Sequence, residues 1–296
     1  MKTVSRRHAL RTLGLSVVTL PLINAACGGP GGGGDGTSDG GAPSGGPDAS
    51  TGAADAGDAG GWASGGTAGM ADTYPDPFTD DPGAACALTC AMTLGPCHST
   101  TFDRRDVSEG ITGLPVRLAL RVVDEACQPV SGATVEIWHT ARNGLYSGDG
   151  SSPDLNLAMC TSNDPEATSH NWFRGSQVTD ARGRVDFHTC YPGWYSGRAI
   201  HIHFRVQIGT SAYIVSQLFF AETLTAEIFA SHPDYAEFGQ PNTTNSTDSQ
   251  VTAETVVPYI LDTRRMTDGV MQAYKTLVIR SSLSDPSCSV PRPGRR

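Results

Sequence analysis

The densest chemical signal in the chain is Arg198-Ala199-Ile200-His201-Ile202-His203-Phe204. On a β-strand, side chains two apart share a face, so His201 and His203 can reach one ion together while Ile200, Ile202 and Phe204 turn to a core. Read alone, the pair also fits two polar side chains on a solvated face. Its surroundings add donors. Tyr195 precedes it in Tyr191-Pro192-Gly193-Trp194-Tyr195-Ser196-Gly197, an aromatic loop that leads into the His strand. Upstream, the stretch from Trp138 to Ser147 places Tyr146 just past another strand. Either tyrosine by itself fits a packing role. Together with the paired imidazoles they suggest a site built from two phenols and two imidazoles.

That donor set narrows the metal. A phenolate is a hard anion, and a phenol with a pKa of about 10 gives up its proton at neutral pH only to a strong Lewis acid. Ferric iron meets that demand better than zinc or ferrous iron, and two tyrosinates favour the ferric state. The two-histidine, one-carboxylate pattern of ferrous oxygenases is a different arrangement. Such a ferric centre is expected to activate an organic substrate. Zinc or copper in the same pocket is the competing metal reading.

The elements that must position these residues read as short strands. Leu114 to Val123 alternates in polarity, and Ala133 to His139 follows after a link containing Pro129 and Gly132. In the second of these, Val135 and Ile137 share one face, Glu136 and Trp138 the other. Further strand candidates are Gln177–Val178, Val185–Thr189, Ala199–Val206, Ala212–Phe220 and Thr276–Arg280. Glu222 to Ala230 is predicted helical, and Thr263 to Tyr274 is a second helical candidate. Many short strands separated by Gly, Pro, Asp and Asn predict an all-β fold, an antiparallel β-sandwich with few short helices.

The domain is expected over residues 76–296, long enough for one good core. Ahead of it, residues 28–75 are mostly Gly, Ala, Ser and Asp and are predicted to form a disordered tether. No Lys or Arg lies between Arg11 and Arg104, so the tether carries much of the formal net charge of −9. That acidity argues against nucleic acid as a partner. Residues 1–27 read as an export signal: Arg6-Arg7, an apolar run from Leu13 to Ala26, and small residues at Ala25 and Ala26. The paired arginines resemble the twin-arginine class, although His8-Ala9 follows them. Ala25-Ala26-Cys27-Gly28 resembles a lipoprotein cleavage box with Asn24 in an unusual place. Two outcomes stay open, lipidation of Cys27 with membrane anchoring, or plain cleavage nearby. Localisation is therefore expected to be periplasmic, extracellular or membrane-anchored. Of the eight cysteines, those beyond Cys27 are expected in disulfides, with an odd one left over, and their pairing is not legible.

Several segments together resemble the intradiol ring-cleavage dioxygenases, the family of catechol 1,2-dioxygenases and the protocatechuate 3,4-dioxygenase β subunit. They are Val135 to Thr140, Gly144-Leu145-Tyr146-Ser147, Phe173 to Asp180, Pro192-Gly193-Trp194-Tyr195, Arg198, His201 to Phe204 and Ser216 to Phe220. Thr93-Leu94-Gly95-Pro96 looks like a variant of a further family motif. The resemblance runs from about Cys86 to Arg280. It implies Tyr146, Tyr195, His201 and His203 as ligands of a non-haem Fe(III), with Tyr195 and a hydroxide displaced by a chelating catechol dianion and accepting its protons. It implies Arg198 as a cation that stabilises charge on the ring, and Gln217 as a glutamine near iron and substrate. The reaction implied uses O2 to break the ring between its two hydroxylated carbons, giving a cis,cis-muconate-type diacid. The connection from Tyr195 to Arg198 is shorter than in protocatechuate-cleaving relatives, and the long helical dimerisation region of catechol 1,2-dioxygenases is missing. Neither substituent preference nor oligomeric state carries over. The rival reading is a non-catalytic transthyretin-like or carbohydrate-binding β-sandwich.

Overall fold

A computed structural model describes residues 61–80 and 83–294. The expected signal over 1–27, the cleavage and lipidation site at Cys27, and the tether up to residue 60 lie outside the described residues.

Among the described residues, eight strands form two four-stranded sheets. The first holds β1 (Pro115–Val123), β4 (Arg184–Cys190), β7 (Asp262–Arg265) and β8 (Met271–Val278), in the order β4-β1-β8-β7. The second holds β2 (Thr134–Trp138), β3 (Arg174–Val178), β5 (His201–Ile208) and β6 (Ser211–Phe219), in the order β3-β2-β5-β6. Neighbouring strands run antiparallel except β1 and β8, which are parallel. Two α-helices, α1 (Leu157–Thr161) and α2 (Glu222–Ser231), and three single-turn 3-10 helices complete the regular structure among the described residues. The expected all-β sandwich is what forms.

The core follows the strand period. Val116, Leu118, Leu120 and Val122 from β1 meet Val135 and Ile137 from β2 and Ile202, Phe204 and Val206 from β5, all with no solvent exposure. Alternation then sends Trp138, His201 and His203 to the opposite face of their sheet. That face is covered as well. Trp138 packs in a second apolar cluster with Cys97, Tyr146, Leu155 and Cys160. The site therefore sits in a buried layer on the outside of one sheet.

Two sequence expectations need correction, and one element was not foreseen. Thr263 to Tyr274 is a hairpin of β7 and β8, not a helix. Asp268-Gly269 closes it, with Gly269 at φ +80° and the Met266 amide donating to the Val270 carbonyl (2.8 Å). An Asp-Gly turn outweighs weak helical periodicity when both flanks can pair. The strand expected at Gln177–Val178 extends back to Arg174, and α1 was not foreseen because it is a single capped turn, its Asn156 side chain accepting from the Met159 amide.

The last part of the expected tether is structured. Residues 61–75 belong to the folded domain. The Trp62 indole donates to Glu227 (2.8 Å), Thr67 Oγ1 to Asp106 (2.7 Å), and Tyr74 OH to Asp268 (2.8 Å). Just beyond, the Phe78 ring lies beneath the Arg121 and Arg184 guanidinium groups, 4.8 and 5.4 Å from its centroid. The low apolar content that predicts disorder says nothing of anchors this sparse.

Disulfides join Cys86–Cys127, Cys90–Cys288 and Cys97–Cys160, leaving Cys190 as a buried free thiol.

Candidate metal centre

Two loops bring the phenols in. After β2 the chain turns tightly, the Gly144 amide donating to the Ala141 carbonyl (2.8 Å) and the Ala141 amide to the Leu145 carbonyl (2.8 Å). Tyr146 follows, its own amide bonded to the Cys160 carbonyl (2.9 Å). After β4 the Pro192-Gly193-Trp194-Tyr195 loop returns alongside. Thr140 Oγ1 donates to the Gly193 carbonyl (2.7 Å) and the Gly193 amide to the Ala141 carbonyl (3.1 Å). Contact this close is possible because both loops carry glycine at the crossing. A Cβ on Gly193 would lie 2.3 Å from the Ala141 oxygen, and one on Gly144 2.1 Å from the Trp194 oxygen. Below the crossing, His139 bonds Thr189 Oγ1 (2.7 Å) and the Thr140 carbonyl (2.8 Å). Burial holds its pKa down at about 4, so it is a neutral structural group.

The expected ligands converge. His201 Nε2 lies 3.1 Å from His203 Nε2 and 3.4 Å from both Tyr146 OH and Tyr195 OH. Its Nδ1 donates to the Ala199 carbonyl (2.7 Å), which leaves the Nε2 lone pair facing the cluster. Burial drives both imidazoles well below their ordinary pKa, with Arg198 adding to the effect on His201 and His201 to that on His203. Both rings are therefore neutral donors. His203 is held flat against Trp138, centroids 4.9 Å apart and planes 10° from parallel.

Burial also raises both phenols, Tyr146 strongly and further because Tyr195 is beside it. An anionic oxygen here needs a cation to stabilise it. The donor atoms fit one: separations of 3.1–3.4 Å match the edges of a coordination shell with bonds of about 2.0–2.1 Å. Among the described residues, no group of three His, Cys, Asp or Glu side chains is placed to share a metal. A metal in this layer has to draw on the tyrosines.

Arg198 reaches the cluster, its Nη1 3.4 Å from His201 Nε2. It is held from behind. Nε donates to Asp248 (3.0 Å), whose side chain is fully buried and also accepts from the Ala199 amide (2.7 Å). Nη2 donates to Gln217 Oε1, and Gln217 Nε2 donates to the Thr93 carbonyl (3.1 Å). Gln217 thus lies against Arg198. Asp248 had no role assignable from sequence, because nothing local marks a loop carboxylate as the partner of an arginine fifty positions away. Arg174 was likewise missed as an individual residue. It is fully buried, its Nε bonds the Ser147 carbonyl (2.9 Å), and its guanidinium stands 5.9 Å from the Tyr146 ring centroid.

A cavity of about 400 Å³ opens beside Tyr146, Tyr195, Arg198 and His203. The Cys97–Cys160 disulfide is also part of its lining.

Comparison with known proteins bears on the family. A family profile described as "Dioxygenase" matches residues 93–235. No curated protein matches the chain. An intradiol ring-cleavage dioxygenase from Tetranychus urticae is similar at 28% identity and TM-score 0.57, over 66% of this chain and 95% of that one. A second dioxygenase structure is similar at 27% identity and TM-score 0.56, over the same shares. The dioxygenase domain of a carbohydrate-binding fusion protein from Streptomyces sp. SirexAA-E matches at 21% identity and TM-score 0.45, covering 66% of this chain and 100% of that one. The non-catalytic reading is set aside. The chain resembles the intradiol ring-cleavage dioxygenases and is an oxidoreductase of the dioxygenase class.

Proposed function

We propose that the protein binds one non-haem Fe(III) through Tyr146, Tyr195, His201 and His203 and cleaves a catechol-type diol with O2 between its hydroxylated carbons. The observation that carries this reading is the convergence of two phenol oxygens and two imidazole nitrogens within 3.1–3.4 Å beside a cavity. Bound ferric iron would supply Lewis acidity that draws charge from the diol and renders its ring carbon reactive toward oxygen. The remaining work falls to side chains. Tyr146, buried and tied to Cys160, is the fixed phenol. Tyr195 is half-buried and followed by the exposed Ser196 and Gly197, so it is the phenol able to swing away and take a substrate proton at its oxygen. Arg198 faces negative charge as it develops on the ring, and Asp248 and Gln217 hold it in place.

Export belongs to the same proposal. Three disulfides suit an oxidising compartment, and the start of the chain reads as a signal.

The test is spectroscopic. Protein folded with iron should hold about one iron per chain and show the intense visible absorption of tyrosinate on ferric iron. Catechol added without air should shift that band, and Tyr195→Phe should weaken it and slow the shift. Protein that stays colourless and iron-free after loading would overturn the proposal.

A further inference from the structure

We infer that the preferred substrate is an uncharged catechol with an apolar ring substituent, selected by a wall that includes Met159 and Leu145. This rests on the catechol reading above and goes beyond it to the part of the molecule that is not the diol.

Charge comes first. The ionisable side chains bordering the cavity are Tyr146, Tyr195, His203 and Arg198. The first three are donors of the candidate centre. Arg198 is held by Asp248 at 3.0 Å and by Gln217, and its Nη1 faces the candidate centre, 3.4 Å from His201 Nε2, where the ring itself would sit. A substituent carboxylate away from the centre would lose water with no further cation to replace it, which is strongly unfavourable.

Part of the lining is apolar: Pro96, the Cys97–Cys160 disulfide, Leu145 and Met159. Met159 is 64% exposed although it is a large hydrophobic residue, and it sits at the cavity rather than at random on the surface. A flexible thioether there adapts to an irregular apolar group. Its position is not loose. A helix the length of α1 is too short to hold itself in water, yet Asn156 caps it, its Cys160 is bonded covalently to Cys97, and the Asn156 amide donates to the Pro96 carbonyl (2.7 Å). The wall is therefore preformed. A volume of about 400 Å³ exceeds what a bare dihydroxybenzene fills and leaves room for a substituent along this side.

The experiment titrates the visible band of iron-loaded, full-length protein without air, reading dissociation constants for 4-methylcatechol, 4-tert-butylcatechol and 3,4-dihydroxybenzoate. The alkyl catechols should bind at least about tenfold tighter than the benzoate. Met159→Arg, which sets a cation on the rim, should shrink or reverse that ratio. If this variant does not fold, the wild-type ratio alone decides. Benzoate binding as tight as or tighter than alkyl binding overturns the inference and leaves catechol cleavage standing. If no diol moves the band, the catechol reading itself fails and takes this inference with it.

Discussion

Gly193→Ala probes the step on which the centre depends, the backbone contact between the two tyrosine loops. The new Cβ would lie 2.3 Å from the Ala141 oxygen and 2.4 Å from the Arg142 oxygen. Both are backbone atoms, so no rotamer change relieves the clash. Reaching even the 3.0 Å below which real Cβ contacts are essentially never seen requires 3.0 − 2.3 = 0.7 Å of separation. Overpacking of this kind costs about 1–3 kcal/mol, which for a domain of this size lowers Tm by about 2–12 °C. The shift acts two positions from Tyr195, and misplacing a catalytic group by about 1 Å can reduce turnover about a hundredfold. Thermal unfolding, iron content and the visible band measure the outcome. The control is Gly209→Ala, in the turn between β5 and β6. Gly209 has φ +60° but nothing within 4 Å of its Cβ position. It should lose about 1 kcal/mol to backbone strain and keep the band intact. A Gly193→Ala protein with wild-type colour and Tm would show that the loops do not need this contact, and the account of how Tyr195 is positioned would be wrong.

Three other perturbations have defined outcomes. Asp248→Asn removes one partner of a buried ion pair with Arg198, so stability should fall by about 3–5 kcal/mol and kcat should drop with iron content unchanged; loss of iron instead would place Asp248 in the metal shell. Replacing Cys97 and Cys160 together by serine opens a loop with sequence separation 63, worth about 4 kcal/mol of chain entropy, and should lower Tm while loosening the wall around Met159; unchanged melting would contradict this. For pH, burial opposes ionisation of Glu136, but hydrogen bonds from His98 and Arg205 hold its carboxyl below the ordinary value of 4.5. The stabilisation from Glu136 is thus present above that value and is lost as pH falls through the lower folded value. The Tm difference between wild type and Glu136→Gln should close on acidification, and a gap that widens instead would refute it.

Sequence alone determined the fold class and the four candidate ligands, and the reason is locality. Strand alternation puts His201 and His203 on one face whatever surrounds them, and turn-rich loops at Tyr146 and Tyr195 sit next to recognisable strands. The same rule accounts for the core, since Ile202, Phe204 and Val206 are buried as period two demands. Where local signals conflicted, as at Thr263 to Tyr274, weak periodicity misled and the Asp268-Gly269 turn prevailed. The tertiary structure alone decided what lies across long separations. It paired the cysteines, set Asp248 behind Arg198, brought residues 61–75 onto the domain, and built the cavity wall from α1. Each of these depends on which distant backbones come within a few ångströms, and a glycine such as Gly193 or Gly144 reveals its steric role only once the opposing carbonyl is in place.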